Sequence, residues 1–162
     1  MTLDRAFLIA PTASLLIADP TVESRMITDD DLPGLAQLFI DAYAGSVDDE
    51  GESLDDARAT IGALLQGTRG EPRREAWLGV YEDDGAPIAA MLCTTWRGMP
   101  FIAHVMTQPS YRERGYATSL IREFAAQVDG AGGTAIALAV SRANPAITLC
   151  QELGFQELFS PA

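Results

Sequence analysis

The stretch from Phe101 to Val128 constrains the fold more than any other. An apolar run, Phe101-Ile102-Ala103-His104-Val105-Met106, leads into Thr107-Gln108-Pro109. Proline has no N–H for a sheet ladder, so a strand ends there. Two arginines, a glycine and a small residue follow in Arg112-Glu113-Arg114-Gly115-Tyr116-Ala117. Ala117, Leu120, Ile121, Phe124, Ala125 and Val128 then recur with the spacing of one helical face. Strand, Arg/Gly turn and helix start together make an anion site from backbone. The first N–H groups of a helix have no internal partner, and the helix dipole is positive there. Gly115 allows backbone angles and an approach that a Cβ would forbid.

The flanking pattern is that of an α/β protein. Arg25-Met26-Ile27 reads as a strand, and Thr28 with Asp31 as a capping box. Leu32, Leu35, Leu38, Phe39 and Ala42 form a helical stripe. The segment Asp48–Asp56 is rich in acids, and Ser53 with Asp56 caps a second helix that buries Ala57, Ile61, Leu64 and Leu65 and stops near Gly67. Residues 68–75 read as a loop. An Asp-Gly turn at Asp84-Gly85 joins two apolar runs as a hairpin, the second spanning Ile88 to Thr95. After the 117–128 helix, Thr134–Val140 is apolar without alternation, as in a strand covered on both faces. Pro145–Leu153 reads as a short helix with Ala146, Leu149, Cys150 and Leu153 inward, and Phe155–Phe159 as a last strand. The expected architecture is a mixed sheet with helices on both faces, in which Phe101–Val140 is a parallel crossover.

One domain is expected over residues 25–162, with 1–24 as an N-terminal arm. Phe7-Leu8-Ile9-Ala10 and Leu15-Leu16-Ile17 read as two short strands of that arm around Pro11, a short hairpin that packs on the domain or on a second subunit as a homodimer contact. The net charge of −12 argues against nucleic acid and anionic membrane as partners, and is compatible with steering of cationic amines as well as with simple solubility. Two separated cysteines, Cys93 and Cys150, fit free thiols in the cytoplasm. One histidine and no His/Cys cluster argue against a metal site.

The central stretch and the tail together resemble the Gcn5-related N-acetyltransferases. That family's acyl-CoA signature, Q/R-x-x-G-x-G/A, stands as Arg112-Glu113-Arg114-Gly115-Tyr116-Ala117. Its second signature stands as Asn144 followed by Ala146-Ile147-Thr148-Leu149-Cys150-Gln151-Glu152-Leu153-Gly154-Phe155. The likeness covers about residues 25–159. It implies acetyl-CoA or another acyl-CoA as co-substrate, with the pyrophosphate on the N–H groups of Glu113, Arg114, Gly115, Tyr116, Ala117 and Thr118. It implies that Val105, Met106 and Thr107 pair through their main chain with the pantetheine arm, and that Asn144 reaches it from the other side. It also implies that the strands ending at Thr107 and near Val140 splay apart around the thioester. The implied activity is direct acyl transfer to a primary amine of a small molecule or protein, an N-acyltransferase reaction without metal. A CoA-binding sensor without catalysis is the alternative, and a nucleotide-phosphate binder of another kind a third reading.

Direct transfer is helped by a base for the amine proton and an acid for the leaving thiolate. His104, the single histidine, is the candidate base, and Glu50 and Glu52 compete with it. Strand alternation places His104 with Met106 and Ala103 with Val105. Where the family often has a tyrosine acid, this chain has Cys150, a candidate acid or a small core residue. Trp96 is expected either in the acceptor pocket or in the core.

Overall fold

The computed structural model describes residues 4–158. The elements run β1 (Arg5–Pro11), α1 (Thr12–Leu15), β2 (Arg25–Met26), α2 (Leu32–Tyr43), α3 (Leu54–Leu65), β3 (Glu71–Pro72), β4 (Leu78–Tyr81), β5 (Pro87–Trp96), β6 (Met99–Thr107), α4 (Tyr116–Gly130), β7 (Ala135–Ser141), α5 (Ala146–Glu152) and β8 (Gln156–Glu157). One sheet has the order β2-β4-β5-β6-β7-β1-β8, with β3 also on β5. All named pairs are antiparallel except β6 with β7.

Alternation along β5 divides the core. Ala89, Met91 and Cys93 face one cluster with Leu120, Ile121 and Phe124 of α4. Ala90 and Leu92 face the other, with Leu35, Phe39, Ala57 and Ile61 of α2 and α3. The period of two on the sheet and the helical stripes on either side thus close two cores around one sheet. Trp77 is fully buried in the second core, and its indole N–H donates to the Cys93 carbonyl at 2.9 Å. Both anticipated capping boxes form: Asp31 with Thr28, and Ser53 with Asp56 at the start of α3.

Strand β6 is irregular on both edges. Its parallel ladder with β7 holds only at Phe101↔Ala137 and Ile102↔Leu138. From Ala103 to Thr107 the edge of β6 that faces β7 has no strand partner, so the two strands part. On its other edge, opposite β5, the register shifts between Leu92↔His104 and Cys93↔Ile102, leaving Ala103 as an extra residue. The bulge corrects the expected alternation. Ala103 packs on the α2/α3 core with Met106, the side that His104 also faces, while Val105 packs on the α4 core.

Several expectations need correction. The arm is not a hairpin. β1 lies inside the sheet between β7 and β8, with Ala6, Leu8 and Ala10 at 0–1% exposure. Leu15-Leu16-Ile17 is no strand. The chain turns into α1 after Pro11, which buries Leu15 and leaves Ile17 exposed. Residues 68–75 carry the short strand β3 rather than loop alone. In α5 the inward stripe is Ile147, Cys150 and Leu153, one residue round from the expected one, and Ala146 and Leu149 face out. β8 is only two residues long, and Phe159 lies outside the described residues. Among the described residues no helix is long and apolar enough to cross a membrane.

Candidate active site

The parting of β6 from β7 opens a cleft of about 230 Å³. Its walls are Ile102–Val105 of β6 and Leu138–Ser141 of β7. Phe39 and Tyr43 of α2 close one side, and Ala146 and Cys150 of α5 the other. The α2–α3 loop brings Asp48, Glu50 and Glu52 to the rim, and Arg5 and Arg69 complete it. His104, Val105, Asn144 and Cys150, distant in sequence, therefore meet in one place, and so do the competing bases Glu50 and Glu52. Trp96 is elsewhere: it stacks on Phe7 with centroids 5.2 Å apart and lines a neighbouring groove.

Beyond Thr107 the chain makes a short 3-10 turn at Pro109–Tyr111 and reaches α4. Gly115, the residue before the helix, has φ +83°, and the space its missing Cβ would take is open. Glu113 is also left-handed at φ 62°, which costs a non-glycine residue on the order of 1 kcal/mol. Among the described residues the N–H groups of Glu113, Arg114, Gly115, Tyr116, Ala117 and Thr118 find no backbone acceptor. Six donors, a glycine with nothing over it and a helix dipole are what a pyrophosphate needs. The loop is braced from below. Arg112 donates to the Ala42 carbonyl at 2.6 Å, Arg114 lies 5.1 Å from the Tyr111 ring centroid, and Tyr111 donates to Glu82. Ser119, one turn into α4, accepts from the N–H groups of Thr21 and Val22 and so ties the N-terminal segment to this helix.

Inside the cleft His104 Nδ1 and the Tyr43 hydroxyl are 2.9 Å apart, and Phe39 packs edge-on to the imidazole. Burial first, then the charges of Arg69 and Arg5, bring the His104 pKa down to about 4, so the ring is neutral at pH 7. Burial and the nearby Asp48 push the Tyr43 phenol up, so it stays protonated. Burial likewise raises the Cys150 thiol to about 11. A proton on that thiol is held more tightly than on an ordinary thiol, near 8.5. Asn144 is engaged at both ends: its Nδ2 donates to Asp48 at 3.0 Å, and its Oδ1 accepts from the Ala146 N–H at 2.9 Å at the start of α5. Ser141 also donates to Asp48, at 2.5 Å. Asp48 thus fastens the acidic loop to the exit of β7. Of the sequence-predicted ligands, Val105 lines the cleft, and the Met106 side chain is buried in the α2/α3 core. Tyr43, Arg5 and Arg69 carry no signal in the sequence that marks them for the site, and Asp48 is marked only as one acid of the Asp48–Asp56 segment. Tyr43 ends an ordinary helical stripe, and Arg5 arrives only through the non-local pairing of β1 with β7.

The mixed sheet, the parted parallel strands and the open N–H loop are the features of one class of fold. The model of the FR47-like protein family matches residues 77–161, and the chain belongs to this family, within the Gcn5-related N-acetyltransferases. No curated protein matches the sequence. Among solved structures, a Gcn5-related N-acetyltransferase from Sphaerobacter thermophilus superposes with a TM-score of 0.70 at 17% identity, over 96% of this chain and 49% of that one. The chain therefore spans about half the length of that relative. A ribosomal-protein-S18-alanine N-acetyltransferase from Escherichia coli gives 0.65 at 20% identity, over 85% of this chain and 79% of its own. The PaiA N-acetyltransferase of Thermoplasma acidophilum, in complex with coenzyme A, gives 0.66 at 16%, over 88% and 94%. These likenesses carry the fold.

Proposed function

We propose that the protein is an acyl-CoA-dependent N-acyltransferase that moves an acetyl or other acyl group directly to a primary amine. The observation that carries this reading is that one strand, β6, both walls the cleft where it parts from β7 and runs on, through Thr107 and the short turn at Pro109–Tyr111, into the unpaired N–H groups of residues 113–118. The coenzyme, when bound, supplies an activated thioester. The free edge of β6 at Val105, Met106 and Thr107 offers main-chain groups to an extended arm, and the loop takes its diphosphate.

Transfer forms a C–N bond and breaks a C–S bond; the amine gives up a proton, and a thiol leaves. An amine arrives as an ammonium ion, which the rim carboxylates Glu50 and Glu52 attract and relieve of a proton. His104 is neutral, and its imidazole, steadied by Tyr43, accepts the second proton once carbon–nitrogen bonding has made the amine acidic. Neutral His104 is a weak base, and that stage is where a weak base suffices. Cys150 packs beneath the cleft, and the departing thiolate takes its proton from solvent. Proximity and orientation supply much of the acceleration.

The test is release of free CoA thiol with a broad panel of amines, paired with mass spectrometry of the products. The chain contains no lysine. Transfer to lysines of the enzyme itself therefore contributes no background. Thiol release that depends on amine, with N-acylated product, is expected. The second reading, a CoA-binding module without transfer, draws on the raised thiol at Cys150 where the family often has a tyrosine. Tight CoA binding with no amine-dependent release would establish it instead.

A further inference from the structure

The rim of the cleft carries charges of both signs that do not neutralise one another. Glu50 and Glu52 stand on the α2–α3 loop, Arg5 at the start of β1 and Arg69 between α3 and β3, and all four line the same space. Yet among the described residues neither arginine makes an ion pair or hydrogen bond, and neither stacks on an aromatic ring. That sets them apart from Arg25, Arg74 and Arg142, each fastened to a carboxylate. In a chain of net charge −12, these two arginines share a cleft with Glu50 and Glu52 and form no ion pair with either. Both guanidiniums are near enough to His104 to oppose its protonation. Arg5, Arg69 and His104 thus line one and the same cleft.

A site with separated plus and minus charges suits a ligand with the same separation. A purely cationic amine would leave two guanidiniums crowded and unpaired, and would be repelled by them. A purely anionic acceptor would meet the field of an acidic protein. On the acyltransferase reading, on which this inference rests, we propose that Arg5 and Arg69 bind the carboxylate of the acceptor, and that the acceptor is a small zwitterionic amino acid whose ammonium faces Glu50 and Glu52. Guanidinium is suited to this because its planar donors match a carboxylate two at a time. The N-terminal strand β1 then has a functional role as well as a structural one, since it delivers Arg5 to the cleft.

The experiment compares a series of amino acids of increasing amine-to-carboxylate spacing with their amides and with the corresponding simple amines, in the acyl-transfer assay. The free amino acid of the preferred spacing is expected to exceed its amide in kcat/KM by roughly tenfold to a hundredfold, the value of charge-assisted hydrogen bonds. Arg69→Gln and Arg5→Gln are expected to raise KM for the amino acid about tenfold, to leave kcat nearly unchanged and to leave the Kd for CoA unmoved. Both side chains are exposed, so melting temperature should be retained. Equal rates for amino acids, amides and simple amines would overturn the inference while leaving the transferase reading standing, and so would arginine variants that weaken CoA rather than the acceptor. If no amine is acylated although CoA binds, the transferase reading falls and the acceptor site with it.

Discussion

His104 has a pKa of about 4 in the folded chain against 6.5 as an ordinary imidazole. The native state therefore binds this proton less readily than the unfolded state. Stability attributable to His104 is intact above pH 6.5 and is lost as pH falls from 6.5 towards 4, by on the order of 3 kcal/mol at most. The stability contributed by carboxylates with lowered pKa, such as Asp31 held by Arg25, is intact above the normal carboxylate range near pH 4 and is lost only below it. Between pH 6.5 and 5 the histidine is thus isolated. His104→Gln keeps a partner for Tyr43 and should flatten the fall in melting temperature over that interval; parallel curves for the two proteins would contradict the assignment. Cys150 gives a contrasting case. At 7% exposure it packs with Ile147 and Leu153 in the core, and burial holds its thiol up. Cys150→Ala is expected to lower stability by about 1 kcal/mol and to change turnover less than threefold, read by thermal melting and steady-state rates. A large loss of turnover with melting unchanged would instead make it the acid. Both residues stand out in the sequence because each is a rare chemical type in a suggestive place. Their protonation does not, because it depends on neighbours brought by α2, β1 and the α3–β3 loop.

Among the elements, those whose cause is local were legible. The capping boxes at Thr28 and Ser53, the Pro109 strand end and the apolar face of α4 each follow from residues within one turn of one another. Placement of β1 was not legible, because its partners β7 and β8 lie more than 120 residues away and a strand of this length shows no preference among edges. The consequence is measurable. Leu8 is 1% exposed and Ile17 80% exposed, although both belong to the segment that reads as an arm. Leu8→Ala should cost about 2–4 kcal/mol in urea unfolding, and Ile17→Ala less than about 0.5 kcal/mol. Equal small effects would mean that β1 is an appendage after all. The loop before α4 allows a second comparison. Gly115 and Gly132 both have left-handed φ, +83° and +90°, and both have open space around a virtual Cβ. Alanine at either position carries a backbone cost of roughly 1–2 kcal/mol. Only at Gly115 does that strain fall within the run of free N–H groups at residues 113–118, whose aim depends on its left-handed φ. Gly115→Ala should weaken CoA binding at least about tenfold, while Gly132→Ala leaves the Kd alone, as titration calorimetry would record. Equal effects of the two would remove the anion site from this loop.

At the scale of the whole molecule, one departure from regular pairing organises the rest. β6 and β7 share two ladder positions and then separate, and the bulge at Ala103 turns His104 towards α2 beside the gap. The two signature stretches made the fold and the open N–H loop before α4 readable from sequence because they are built from glycine, proline and backbone. The acceptor side was not readable. It is assembled from single residues on β1, α2, the acidic loop and the α3–β3 loop, and only folding brings them together. The charge is locally mixed in consequence: Glu50 and Glu52 line the same cleft as Arg5 and Arg69, in a chain of net charge −12. The most direct measurement is a crystal structure of the protein with CoA. Diphosphate oxygens are expected within hydrogen-bond distance of the N–H groups of residues 113–118, with the pantetheine along β6 at Val105–Thr107 and the sulfur in the gap beside His104. A CoA molecule whose diphosphate avoids that loop, or whose sulfur lies outside the gap between β6 and β7, would overturn the proposed site.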